Sequence, residues 1–178
     1  HKVRDLEYAE IGVRTTAIDR QIRTMGFEAE LARAEKDLEK HRKNLEQHTK
    51  ETAPRELEER KIGVDHSVYR AEEAKDELAE LESMYKADEF AKATKELVIK
   101  RGRRGVEMAD RSLAVARREL AELETHTMPQ RERELRDQVA DAERTLQKAR
   151  LEADKARIEL DVAQRQADDR VTDLKQEV

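Results

Sequence analysis

The 178-residue sequence predicts an all-α fold, a long antiparallel two-helix coiled-coil hairpin kinked near Pro54 and Pro129, and three observations carry that expectation. Charged residues make up 44% of the chain and aromatic ones 3%, against about 25% charged in an average globular domain, so one large apolar core around a substrate pocket is excluded. Apolar residues nevertheless recur with a heptad period, which disordered charged chains lack. The heptad rows of the two halves mirror each other about the middle of the chain.

The C-terminal third shows the pattern best. One row holds Leu135, Ala142, Ala149, Ala156 and Ala163, and a second holds Val139, Leu146, Ala153, Leu160, Ala167 and Leu174. Small alanine knobs in such a seam let a neighbouring helix approach closely. The middle repeats it with Leu57, Val64, Ala71, Leu78 and Tyr85, then with Ile99, Val106, Leu113 and Leu120, where Ala109, Ala116 and Leu123 fill the second row. Ile11, Ile18 and Met25, followed by Leu31, Leu38 and Leu45, are the expected row of the N-terminal part.

In an antiparallel hairpin the numbers of facing residues have a constant total. Leu57 with Thr127, Val64 with Leu120, Ala71 with Leu113, Leu78 with Val106 and Tyr85 with Ile99 each total 184, as do Leu45 with Val139, Leu38 with Leu146 and Leu31 with Ala153. Met25 with Leu160, Ile18 with Ala167 and Ile11 with Leu174 total 185, a drift that one stutter would produce. The arms are expected at about 3–86 and 94–177, with a helical tip at about 87–93. At 1.5 Å per residue each arm would span on the order of 125 Å.

The prolines support this register, because Pro54 and Pro129 fall at the same height on opposite arms. Proline removes a backbone donor and clashes with the preceding turn, so both helices are expected to break or bend there and to serve as a hinge. The threonine-containing stretches before them, 49–52 and 125–127, offer N-cap chemistry for restarted helices. Thr94 is the expected cap of the returning arm, with Glu96 in its first turn.

Little in the chain suggests chemistry. A net charge of −5 is small beside the total, and with no cysteine there is no disulfide framework, thiolate metal site or cysteine nucleophile. His41 and His48 lie one heptad apart, roughly 10 Å along a helix axis, too far to share a zinc ion. They read as solvated or seam histidines, and His66 and His126 as surface residues. Carboxylate pairs such as Glu58-Glu59 and Asp168-Asp169 read as a solvated face rather than a catalytic dyad, so no catalytic residue, metal site or cofactor is expected. Arg101-Gly102-Arg103-Arg104-Gly105 lacks phosphate-loop spacing, and its glycines suit close helix packing.

The one basic cluster is Lys95, Lys100, Arg101, Arg103 and Arg104, with Glu96 its only acid. Without stacking aromatics it points away from nucleic acid and towards an acidic protein surface. Phe90, at the far end of the hairpin, either plugs the last layer beneath Tyr85 and Ile99 or meets a partner. No apolar run approaches the roughly 20 residues needed to span a bilayer. The chain starts without Met, so it is expected to be a segment of a longer protein that carries any targeting or anchoring piece.

Residues 81–90, Leu-Glu-Ser-Met-Tyr-Lys-Ala-Asp-Glu-Phe, and 94–101, Thr-Lys-Glu-Leu-Val-Ile-Lys-Arg, resemble the tip of the α-helical hairpin in HlyD-like periplasmic adaptor (membrane fusion) proteins. The mirrored Ala-Pro-Arg-Glu-Leu-Glu (53–58) and Met-Pro-Gln-Arg-Glu-Arg-Glu-Leu (128–135) fit the same hairpin. The resemblance implies a non-catalytic adaptor of a tripartite efflux or type I secretion system. It would span the periplasm and dock by its tip on an outer-membrane channel, while its parent protein is anchored in the inner membrane beside a transporter. It further implies flanking lipoyl and β-barrel domains outside these residues, a ring-forming homo-oligomer, and membrane contact only through those outer segments. Where familiar adaptor tips have an Arg-x3-Leu-x6-Ser pattern, this chain has Lys86, Phe90 and Leu97. The expected tip contacts are Tyr85, Lys86, Asp88, Glu89, Phe90, Lys92 and Lys95. The alternative is a cytoplasmic coiled-coil scaffold or chaperone-like hairpin.

Overall fold

A computed structural model describes residues 2–87 and 92–177, and all of them are helical. The first arm consists of α1 (Lys2–Gln47), a π-helical turn (His48–Thr52) and α2 (Ala53–Ala87). The second consists of α3 (Lys92–Glu122), a second π-helical turn (Leu123–Thr127) and α4 (Met128–Glu177). The arms pack against each other as an antiparallel hairpin. Contacts divide it into a terminal unit, His1–Asn44 with Leu135–Val178, and a turn unit, Leu45–Glu134.

In the terminal unit, Ala34, Leu38 and Leu146 form a buried cluster against which Leu31, Val139 and Ala142 pack. Ala153, Leu160 and Val171 are buried farther along α4. In the turn unit, Ala71 and Leu123 are the buried apolar residues among those described. No large side chain is fully buried among the described residues, as expected where each helix is covered by a single neighbour. Five of the cross-arm ion pairs share one register. Arg42–Glu143, Arg150–Glu35 and Lys175–Glu10 in the terminal unit, and Lys75–Asp110 and Arg103–Glu82 in the turn unit, all join residues whose numbers total 185. That is one residue from the seam total of 184. These pairs are exposed, so each contributes at most about 1 kcal/mol; they hold alignment more than stability.

The N-terminal row departs from expectation. Ile11, Ile18 and Met25 are not in the seam; each is more than half exposed, at 57%, 58% and 62%. The inward residues are instead Leu6, Ala9, Val13, Thr16, Thr24 and Phe27, leading into Leu31 and Ala34. Six residues separate Met25 from Leu31, and at 100° per residue that gap leaves the two rows about 120° apart around the helix. Counting back from Leu31 in steps of 3.6 instead lands close to 27, 24, 20, 16, 13, 9 and 6. The seam therefore follows the helix's own period and not the isoleucine heptads. Arg20, between Thr16 and Thr24, reaches across to pair with Asp161. On α4 the same level shows Ala156, Leu160 and Gln164 facing inwards, while Ala163, expected in the row, is exposed. Both arms thus take two successive steps of four residues at matching heights, a stutter that locally unwinds the supercoil.

The proline levels also differ from expectation. No N-cap restarts either helix: Gln47 and Glu122 are in helical conformation without side-chain capping bonds. Instead the Ala53 N–H donates to the His48 carbonyl and the Met128 N–H to the Leu123 carbonyl, five residues back in both cases. A π-turn ahead of each proline opens the turn against which its ring would press, so the helix continues through a position that otherwise breaks it. The threonines bond backwards. Thr49 Oγ1 donates to the carbonyls of Leu45 (3.0 Å) and Glu46 (3.1 Å), and Thr125 Oγ1 to that of Ala121 (2.7 Å). At the other end α3 already begins at Lys92, so Thr94 lies inside the helix and does not cap it, and Glu96 falls beyond the first turn.

Candidate functional site at the turn end of the hairpin

The α2–α3 end gathers the residues that the sequence singles out. Tyr85 is half-buried and Lys86 exposed in the last turn of α2. Lys95 is half-buried near the start of α3, and Lys92 is the first residue of that helix. Asp88, Glu89 and Phe90 lie outside the described residues. Two apolar side chains that the tip reading passed over are exposed here, Met84 at 62% and Leu97 at 50%. Met84 precedes the row residue Tyr85, and Leu97 lies two residues before Ile99, so both fall off the seam rows.

Behind this end, Lys95, Ile99, Lys100, Arg103 and Arg104 line a shallow groove of about 640 Å³ along α3. Glu96 and Glu107 also border it. Arg103 is held across the seam by Glu82 at 3.1 Å, which fixes the two arms together at the groove. Gly102 has the close-packing role expected of it: a Cβ there would stand 2.9 Å from Leu78 Cδ1. At Gly105 the space is open. The groove is mainly cationic, with four basic residues against two acidic ones in its lining and Ile99 as its apolar member.

The described histidines belong to the seam or the surface. His48 is buried at 7% exposure, His41 is half-buried with an unpartnered Nδ1, and His66 and His126 are exposed. No group of three or more His, Asp or Glu among the described residues could hold a metal ion. Among the described residues two carboxyls are shifted, both downward. Hydrogen bonding from Lys43, aided by its charge, holds Glu39 below the usual carboxylate range, and Lys50 does the same to Glu46. A general acid working near neutral pH needs a shift in the opposite direction.

No described helix is long and apolar enough to cross a membrane. Compared with known families, curated proteins and solved structures, the chain has no match.

Proposed function

We propose that this chain is the non-catalytic hairpin of a HlyD-like periplasmic adaptor in a tripartite efflux or type I secretion system. Its turn end would dock on an outer-membrane channel, while the parent protein is anchored in the inner membrane beside a transporter. The reading rests on the residue resemblance at 81–101. The observation that supports it most is the α2–α3 end, where Met84, Leu97 and Lys86 are exposed and α3 carries a cationic groove. Exposed apolar side chains together with a charged groove at the end of a hairpin suit a protein contact.

The test is binding of the purified chain to a purified TolC-like outer-membrane channel in detergent. The expected result is measurable affinity that falls at least about tenfold when Met84→Asp and Leu97→Asp are combined, the equivalent of about 1.4 kcal/mol, with the helical melting curve unchanged. No binding by the intact chain, or binding indifferent to both substitutions, would favour the scaffold reading instead.

A further inference from the structure

The residues displaced from the seam in α1 form a second apolar face. Tyr8, Ile11, Thr15, Ile18, Ile22 and Met25 recur at alternating steps of three and four, and all are exposed, Tyr8 and Ile22 at 66% and 63%. At 100° per residue this stripe lies on the side of α1 opposite Ala9, Val13 and Thr16, which face α4. Thr15 belongs to it through its methyl group, because its hydroxyl donates to the Ile11 carbonyl at 3.0 Å. The stripe runs about 26 Å along the helix without a charged residue in its own row. Leu151, Ile158 and Val162 are also exposed on α4, but Lys155 and Arg165 interrupt that row. The stripe thus has the spacing of a coiled-coil seam, on a helix whose opposite face already has its partner.

We propose that this face is a homodimer interface in which α1 of one copy packs in parallel against α1 of a second, about a two-fold axis along the helices. The flanking charges select both occupant and direction. In heptad terms Tyr8, Thr15 and Ile22 occupy a, and Ile11, Ile18 and Met25 occupy d. The g positions are then Glu7, Arg14, Gln21 and Glu28, and the e positions Gly12, Asp19 and Gly26. In a parallel pair each g residue meets the e residue five positions on in the other helix. Arg14 thus meets Asp19 of the second copy, twice by symmetry. Neither makes an ion pair within the chain among the described residues. Glu7 and Gln21 meet Gly12 and Gly26, where a Cβ would find nothing within 4 Å, so the helices can approach closely. Beside Gly12 lies a groove of about 520 Å³ lined by both Asp5 and Arg170, so it favours neither sign of charge. An antiparallel pair would instead set Glu7 against Glu28 at both ends of the flank where g faces g, which is repulsive.

The proposal concerns a different face from the turn end and stands whether or not the adaptor reading does. It is tested with the full chain by sedimentation equilibrium over a micromolar dilution series. The expected result is a reversible rise to twice the 20.7 kDa chain mass. Ile18→Glu with Ile22→Glu should raise the dissociation constant more than about 100-fold and leave the melting curve of the hairpin in place, because both side chains already face solvent. Arg14→Glu should weaken the dimer, and adding Asp19→Arg should restore it. Since the chain has no cysteine, Tyr8→Cys reports direction: mild oxidation joins two copies only if the helices run in parallel. A chain that stays monomeric throughout, including one that is monomeric but binds anionic vesicles through this stripe, overturns the proposal. A dimer indifferent to the two glutamates overturns the interface. A dimer in which Tyr8→Cys fails to cross-link while a Tyr8→Cys and Met25→Cys mixture does overturns the parallel arrangement.

Discussion

The terminal and turn units use the same heptad alphabet and reach different packing. The terminal unit buries Ala34, Leu38, Leu146, Ala153, Leu160 and Val171, whereas the turn unit buries Ala71, Leu123 and the polar His48. In the terminal unit the alanines of α4 bring α1 close enough for leucine knobs to exclude water. The turn unit carries both π-turns, and each adds a residue that slips the helix phase by about 100°. Its rows, among them Leu57, Val64, Leu78 and Tyr85, are half-covered. A heptad row is consequently only as good as its phase: what matters is whether it stays on one side of the helix as the backbone winds. The terminal unit makes the same point with its isoleucines, perfectly spaced yet facing solvent.

The comparison breaks most readily at the cluster of the terminal unit. Leu146→Ala should cost about 2–3 kcal/mol, the lower part of the range for buried leucines because the void opens to solvent. Leu78→Ala, at a half-covered position of the turn unit, should cost less than half as much in denaturant unfolding; equal losses would mean that coverage does not set stability here. Next in size are the prolines. Pro54→Ala restores a backbone donor and removes the ring, and should stabilise by about 1–2 kcal/mol, below the roughly 3 kcal/mol of an unrelieved helix-interior proline because the π-turn has already absorbed part of the clash. Hydrogen exchange should slow across 48–53 in that variant. If stability falls instead, the π-turn is held in place by packing and not by the proline.

The smallest effect separates two glycines three residues apart. Gly105→Ala, with open space around it, should stabilise by about 1 kcal/mol through helix propensity alone. Gly102→Ala must move the Leu78 methyl group that stands 2.9 Å away, so its gain should be smaller, and the difference should vanish on a Leu78→Ala background. A full gain at Gly102 would show that the seam beside the turn end is looser than its geometry suggests.

Much of the hairpin was legible from spacing. The facing of Leu38 with Leu146, and the inward rows from Leu57 to Tyr85 and from Ile99 to Leu120, were readable because identical periods in two arms leave few registers that bury both. The exposure of Ile11, Ile18 and Met25 was legible too, in the six-residue gap before Leu31, but only when phase is counted and not spacing alone. The threonines before the prolines misled because a hydroxyl that can cap a helix can equally bond back to the carbonyl four residues earlier. Nothing local distinguishes the two. Met84 and Leu97 were missed at the turn end although the heptad count places them outside the seam, because the tip reading looked at charge and at Phe90 and not at apolar residues off the rows.

The sequence by itself determined an all-helical chain, its reversal near the middle and the pairing of its arms. These follow from period and composition, properties that every residue carries locally and that add along the chain. Only the tertiary structure decided which of two apolar stripes on α1 meets α4, how the helices pass their prolines without breaking, and which side chains stay in water. Each of those outcomes depends on competition between faces for a single partner. A helix packed against one neighbour has two sides, and the phase of the backbone, accumulated over many turns, settles which side is left open.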